Sequence, residues 1–268
     1  MDLVDILRKG SCCKCNESPV IFRRSSGQNL CTNCFKSSIE KIIYKTISLY
    51  GMLNPDDKVI IAFSGGISST CLLYNLYIIQ QRVYRGNSIT ALTIDDGFNP
   101  EFLKKMNNFC EKYLIEQIII SSEKNKKTYN KFNKNWIKLR YDFIHELINY
   151  SVDQLEKDTD FNVLCLGINL TDIAELCLNH LLKETKFFLR SKNKKFTVIT
   201  PLMRIPEEEI YIYSKLNNFD LKNYEISKRK KTKSYVREFL EDCTEYSPEI
   251  NYNLFKVYLE LLKIGFLD

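Results

Sequence analysis

Four cysteines near the amino terminus carry the strongest chemical signal in the chain. Cys12-x2-Cys15 is followed, after fifteen residues, by Cys31-x2-Cys34. Each knuckle offers two sulfurs to one ion, so the pair fits a tetrahedral four-thiolate zinc site. Four thiolates leave no open coordination position, and the expected role is structural rather than catalytic. Cys13 is read as a bystander. A second pattern is Ser64-Gly65-Gly66-Ile67-Ser68-Ser69-Thr70, which sits between KVIIAF and CLLYNLYIIQ. A strand, a Gly-Gly turn and a hydroxyl-rich helix start present backbone amides to a phosphate. The same string also suits an ordinary strand-to-helix turn with serine caps. It does not match the GxxxxGK[ST] phosphate loop, which occurs nowhere in the chain.

The elements that must position these groups follow from periodicity. Between the knuckles, PVIFRRSSGQNL reads as a hairpin with a Ser-Ser-Gly turn. Apolar residues from Phe35 to about Tyr50 recur at helical spacing and predict a linking helix. So few residues make little core of their own, and the metal is expected to supply much of this module's folding energy. Residues 1–50 are therefore read as a zinc ribbon plus helix, and 51–268 as a larger body with C-terminal helices. In that body, strand-like runs at 58–63, 88–94, 117–121, 162–167 and 195–199 alternate with helical patterns. The helices fall at roughly 100–114, 136–157, 171–184 and 206–217. Pro206 with three following glutamates is a good helix start. The alternation predicts an α/β fold with a parallel sheet covered by helices on both faces. Ligands of such sheets sit at the carboxyl ends of the strands. Ser64–Thr70, Asp95-Asp96-Gly97 and Gly167–Asp172 all fall there.

Composition restricts the function classes. The chain has 268 residues, 44% of them hydrophobic and 27% charged, with a formal charge of +6. That charge permits a nucleic-acid partner without demanding one. No apolar run approaches the roughly 20 residues of a membrane span, and MDLVDILRKG does not read as a secretory signal. The ten cysteines are accordingly expected in a reducing cytoplasm, where paired cysteines favour metal over disulfide. Cys71, Cys110, Cys165 and Cys177 lie in apolar patterns and read as core. Cys243 stands alone, and His145 and His180 have no nucleophile beside them in sequence. No catalytic set emerges. Residues 124–140 hold seven Lys/Arg and no acid, interleaved with Tyr129, Phe132 and Trp136. Lys126, Lys127, Lys131, Trp136 and Arg140 are the candidates for phosphate contact and base stacking. The alternative is a solvated loop in a lysine-rich chain. Basic runs recur at 186–195 and 228–233.

SGGISST after KVIIAF resembles the PP-loop motif SGGxDS of the ATP pyrophosphatases. With a CxxC…CxxCF ribbon directly ahead of it, the chain resembles the cytoplasmic tRNA 2-thiolation family. The likeness continues through TIDDG, LGINLTDIAELCLN and ITPLMRIPEEEIYIYSKLNN. The resemblance implies an adenine-nucleotide α-hydrolase-like fold. It also implies sulfur transfer to the wobble uridine of tRNAs for Lys, Glu and Gln, with a thiocarboxylated ubiquitin-like protein as donor. ATP would meet Ser64, Gly65, Gly66, Ser68, Ser69, Asp95 and Asp96. The departures point to the family's subunit 2, the partner of a catalytic homologue in a heterodimer. Ile67 and Ser68 replace the lysine and aspartate of SGGKDS, Thr171 replaces an acid, and Ile168 stands where histidine is common. NKFNKNWIKLRYDF lacks the family's cysteine pair, and ATP is doubtful in such a subunit. The rival expectation is a diverged but active thiolase that adenylates uridine with Ser64–Ser69 and Asp95 or Asp96. A third is a metal-dependent interaction module that binds neither nucleotide nor RNA. Neither DNA nor a membrane is expected as a partner.

Overall fold

The computed structural model describes residues 10–83, 88–95, 100–121, 160–183, 196–219 and 235–263. The helix expected over 136–157, Asp96, and the basic runs carrying Lys126, Lys127, Lys131, Trp136 and Arg140 lie outside the described residues. A small antiparallel hairpin comes first, with β1 (Ile21–Arg23) paired to β2 (Gln28–Leu30) and Ile21 opposite Leu30. The turn between them ends at Gly27, whose φ of 63° lies in the left-handed region that glycine tolerates. Helix α1 (Thr32–Leu49) starts at the second knuckle. It buries Phe35, Ile39, Ile43 and Ile47, an i, i+4 stripe.

Five parallel strands form the main sheet: β3 (Lys58–Ala62), β4 (Ser88–Asp95), β5 (Glu116–Ser121), β6 (Val163–Cys165) and β7 (Thr197–Ile199). Their order across the sheet is β5-β4-β3-β6-β7. Strand β3 is thus central, and the chain leaves it first toward β4 and later returns on its other side as β6. Three helices follow strands in the first half and middle of the body: α2 (Ile67–Arg82), α3 (Pro100–Lys112) and α4 (Leu170–Lys183). Three more close the chain: α5 (Glu207–Leu216), α6 (Tyr235–Tyr246) and α7 (Ile250–Lys263).

Alternation along β3 shows why the strands read as continuous apolar runs. Val59 and Ile61 join the cluster containing Leu72 and Leu76 of α2 and Ile210 of α5. Ile60 joins Ile173 of α4 and Phe255 of α7 in another cluster. Both faces of the strand are therefore dry, as expected for a parallel sheet. Each such Ile or Leu contributes about 1.5–3 kcal/mol by leaving water.

The ribbon belongs to the same core. Cys12, Ile21, Leu30, Cys31 and Phe35 are buried in one cluster with Val59, Ile61 and Tyr213. Polar contacts tie the hairpin to the carboxyl-terminal helices. Arg23 makes a bidentate pair with Glu209 of α5, with Nε and Nη2 donating at 2.7–3.1 Å, and Nη2 also donates to Ser38 Oγ of α1. Arg24 Nη2 donates to the Glu245 carbonyl at the end of α6, at 2.8 Å. That contact satisfies an acceptor which the helix leaves open.

Candidate functional site

At the carboxyl edge of the sheet, the segment after β3 crosses from strand to helix through two glycines. Gly65 has a φ of 66°, so a side chain there would carry left-handed strain. A Cβ on it would also stand 2.4 Å from Phe102 Cζ of α3. Gly66 is the extended cap residue of α2, and no side chain caps the helix there. The helix begins at Ile67, four residues earlier than the apolar pattern alone suggested. Ser68, Ser69 and Thr70 therefore form its first turn.

The hydroxyls of this turn are spent largely on the loop itself. Ser69 Oγ donates to the Gly66 carbonyl at 3.1 Å and lies 3.2 Å from Ser64 Oγ, while Thr70 Oγ1 donates to the same carbonyl at 2.9 Å. The serines thus shape the turn, and no side chain caps the amides at the start of α2. A helix N-terminus without a side-chain cap is a ready acceptor of an anion. Neither a cation nor an acid stands at Ile67 or Ser68, and the first turn holds no acidic residue.

Strand β6 supplies the second wall. Gly167 packs so closely on the start of α2 that a Cβ would lie 2.9 Å from the Ser69 amide nitrogen. Asn169, almost wholly buried, donates from Nδ2 to Ser68 Oγ at 3.2 Å. Asn169 and Asp172 also cap α4 reciprocally. The Asp172 amide donates to Asn169 Oδ1 at 2.9 Å, and the Asn169 amide to Asp172 Oδ2 at 3.2 Å. Thr171 accepts at Oγ1 from the Glu207 amide at 3.0 Å. It thereby supplies the cap that Pro206 cannot give α5. Asp95 ends β4 on the same sheet edge, next to β3. Such an edge, where the chain departs from β3 in two directions, is where open α/β sheets take ligands.

We expect Gly167→Ala to cost about 1–3 kcal/mol, because the new methyl meets backbone rather than a yielding side-chain end. Denaturant unfolding checks this. Wild-type stability in the variant would mean that the 166–169 segment moves off α2 without strain.

The four ribbon cysteines come together as read: the Sγ atoms of Cys12, Cys15, Cys31 and Cys34 all lie within 4.8 Å of one another. Cys15 and Cys31 are 3.4 Å apart and Cys15 and Cys34 3.5 Å, too long for disulfides and near the about 3.8 Å edge of a tetrahedron with 2.3 Å metal–sulfur bonds. The Cys31 amide neighbourhood holds the Cys12 thiol down to about 6, while Cys34 is pushed up to about 12 by its bond to Cys15. Four sulfurs with no carboxylate among them suit a closed site that can hold a metal ion. Cys13 is exposed and outside the group.

Every cysteine is among the described residues. No second group of three His, Cys, Asp or Glu donors gathers there. Cys71, Cys110, Cys165 and Cys177 are buried. Desolvation pushes all four thiols up, Cys110 to about 12. A thiol so disfavoured as thiolate is a poor nucleophile. All four stand in the core, as their apolar patterns predict. Arg237 beside Asp172 and Arg23 beside Glu209 share no motif and no spacing that a sequence reveals.

Comparison with known proteins agrees with this geometry. Residues 33–242 match the PP-loop domain family. The chain is 27% identical to cytoplasmic tRNA 2-thiolation protein 1 of Xenopus laevis over 255 residues, covering 88% of this chain and 74% of that protein. It is 24% identical to a probable sulfurtransferase of Methanocaldococcus jannaschii over 278 residues, covering 96% and 80%. Among solved structures, the U34-tRNA thiolase NcsA of Methanococcus maripaludis, described with its [4Fe-4S] cluster, superposes with a TM-score of 0.78. It covers 96% of this chain and 89% of that one at 22% identity, a likeness of fold.

Proposed function

The chain belongs to the PP-loop domain family, and from that premise we propose that it is an accessory subunit in 2-thiolation of the wobble uridine (U34) of tRNAs for Lys, Glu and Gln. It acts in the cytoplasm with a catalytic homologue, which uses ATP and sulfur from a thiocarboxylated ubiquitin-like carrier. One observation carries this reading. A glycine turn leads into a helix start without a side-chain cap at Ser64–Ser69, and Ile67 and Ser68 stand where the SGGKDS motif it resembles has lysine and aspartate. Every thiol outside the ribbon and Cys243 is buried and raised in pKa. Sulfur transfer needs an exposed, activated thiolate or a cluster held by several thiolates, and no such group stands by this turn.

The residues expected at a nucleotide are Ser64, Gly65, Gly66, Ser68, Ser69, Asp95 and Asp96. No cation faces a phosphate from the loop itself, since Ile67–Thr70 carry no charged side chain. Zinc is the ion proposed for Cys12, Cys15, Cys31 and Cys34, where it fixes the first fifty residues on the body. Lys126, Lys127, Lys131, Trp136 and Arg140 are proposed to meet tRNA through phosphate contact and stacking.

A second reading, a diverged but active tRNA-uridine thiolase, draws support from the relatives. Those named above are called 2-thiolation protein 1 and probable sulfurtransferase. A thiolation assay on purified tRNA with ATP and a sulfur donor separates the two. Product formed only when the candidate partner is added is the expected result. Product formed by this chain alone would establish the second reading and end the first.

A further inference from the structure

We propose that Arg237 is a positioning residue that holds the glycine-rich loop in shape from the carboxyl-terminal helix α6. The guanidinium is buried, 4% exposed, among carboxylates from three helices. Its Nη1 donates to Asp172 Oδ1 at 3.4 Å and Glu175 Oε2 at 3.2 Å, and its Nη2 pairs with Glu207 Oε2. Glu241, one turn further along α6, stands 3.9 Å from Nε and is the most exposed of the four.

Two of these carboxylates, Asp172 and Glu207, lie in the first turns of α4 and α5, where helix dipoles already favour negative charge. Burying such carboxylates without a cation beside them would be costly. The planar fork of arginine can serve several carboxylates at once, which a lysine ammonium does less well. Arg237 thereby fixes Asp172, and Asp172 is half of the reciprocal cap with Asn169. The other end of Asn169 grips Ser68 in the first turn of α2. A continuous chain of contacts, Arg237–Asp172–Asn169–Ser68, thus runs from the last part of the sequence to the anion cradle. Gly167 packs at the same point, where a Cβ would stand 2.9 Å from the Ser69 amide nitrogen.

The consequence for the site is mechanical. Amides at the start of α2 bind an anion only if they converge before it arrives, and Arg237 keeps them converged without touching it. That consequence rests on the nucleotide reading of the loop, but the positioning role does not.

The test is hydrogen exchange by mass spectrometry on the full chain without nucleotide. Wild type is compared with Arg237→Gln, Asn169→Ala, the double variant and Arg237→Lys. We expect Arg237→Gln to speed exchange at residues 64–69 about tenfold while Val59–Ile61 in β3 stay at the wild-type rate. Asn169→Ala should give a similar gain, the double variant no more than either, and Arg237→Lys a partial return. Equal acceleration in β3, or gains that multiply in the double variant, would reduce Arg237 to a general stabiliser and overturn the proposal. If Arg237→Gln does not fold, the Lys and Asn169 variants give the same comparison. ATP binding by wild type is measured separately, so its failure would count against the nucleotide reading alone.

Discussion

Replacing Cys31 with serine is expected to abolish metal binding and to lower the melting temperature by about 10 °C or more. The physical argument starts from the closed donor set, in which each of the four thiolates is needed to complete the tetrahedron. In small thiolate-rich modules the apparent metal-binding energy, about 10–16 kcal/mol, is itself the folding energy. Here part of that load is carried by packing, because Cys12, Cys31 and Leu30 share a cluster with the body. A residual loss of a few kcal/mol in a chain of this size corresponds to the stated shift. Serine is the informative choice. Cys31 is also the cap residue of α1, accepting from the Cys34 amide, and a serine hydroxyl fills that role well. What is lost is then the metal bond rather than the helix cap. Cys13→Ser, changing an exposed thiol outside the group, should keep full metal content. Metal analysis of the purified chains reads both, and unchanged stoichiometry in the Cys31 variant would refute the four-cysteine site.

The Arg23→Met variant should be destabilised by about 3–5 kcal/mol near neutral pH, the usual cost of stranding one member of a buried ion pair. Glu209 is 3% exposed, and Arg23 is the cation that meets both its carboxylate oxygens. Burial already pushes the Glu209 carboxyl above its ordinary range, against the pull of Arg23. Removing the guanidinium leaves only the upward push. A carboxyl whose folded pKa exceeds its unfolded one supports folding while protonated and loses that support as pH rises through the folded value. The deficit should therefore shrink as pH falls toward 5 and grow toward 8. Urea unfolding at several pH values measures it, and Arg23→Met with Glu209→Gln should recover part of the loss. A deficit below about 1 kcal/mol that ignores pH would mean that the ribbon is seated by apolar packing alone.

Both variants probe the same feature: the ribbon is joined to the body by a shared core and an ion pair. Loss at either point should therefore reach α5 and the turn that Thr171 caps.

Periodicity and spacing alone determined the α/β class, the parallel sheet, and the two cysteine knuckles. Their causes are local. A buried parallel strand must be apolar on both faces, as 59–62 is, and a four-thiolate site needs its sulfurs paired along the chain. The position of the Gly-Gly turn between strand and helix, and the hydroxyl-rich start of α2 after it, were legible for the same reason. What could not be read is that Gly167 packs against Ser69 and Asn169 bonds Ser68 in that first turn, about a hundred residues along the chain. The capping of α5 by Thr171 could not be seen in sequence either, because its partner amide is 36 residues away. Arg23 with Glu209, and Arg237 with Asp172, are 186 and 65 residues apart. No propensity encodes such a distance. These pairs exist because the fold packs α5 against the hairpin and α6 against α4, and burial then makes each unpaired charge too costly to leave alone.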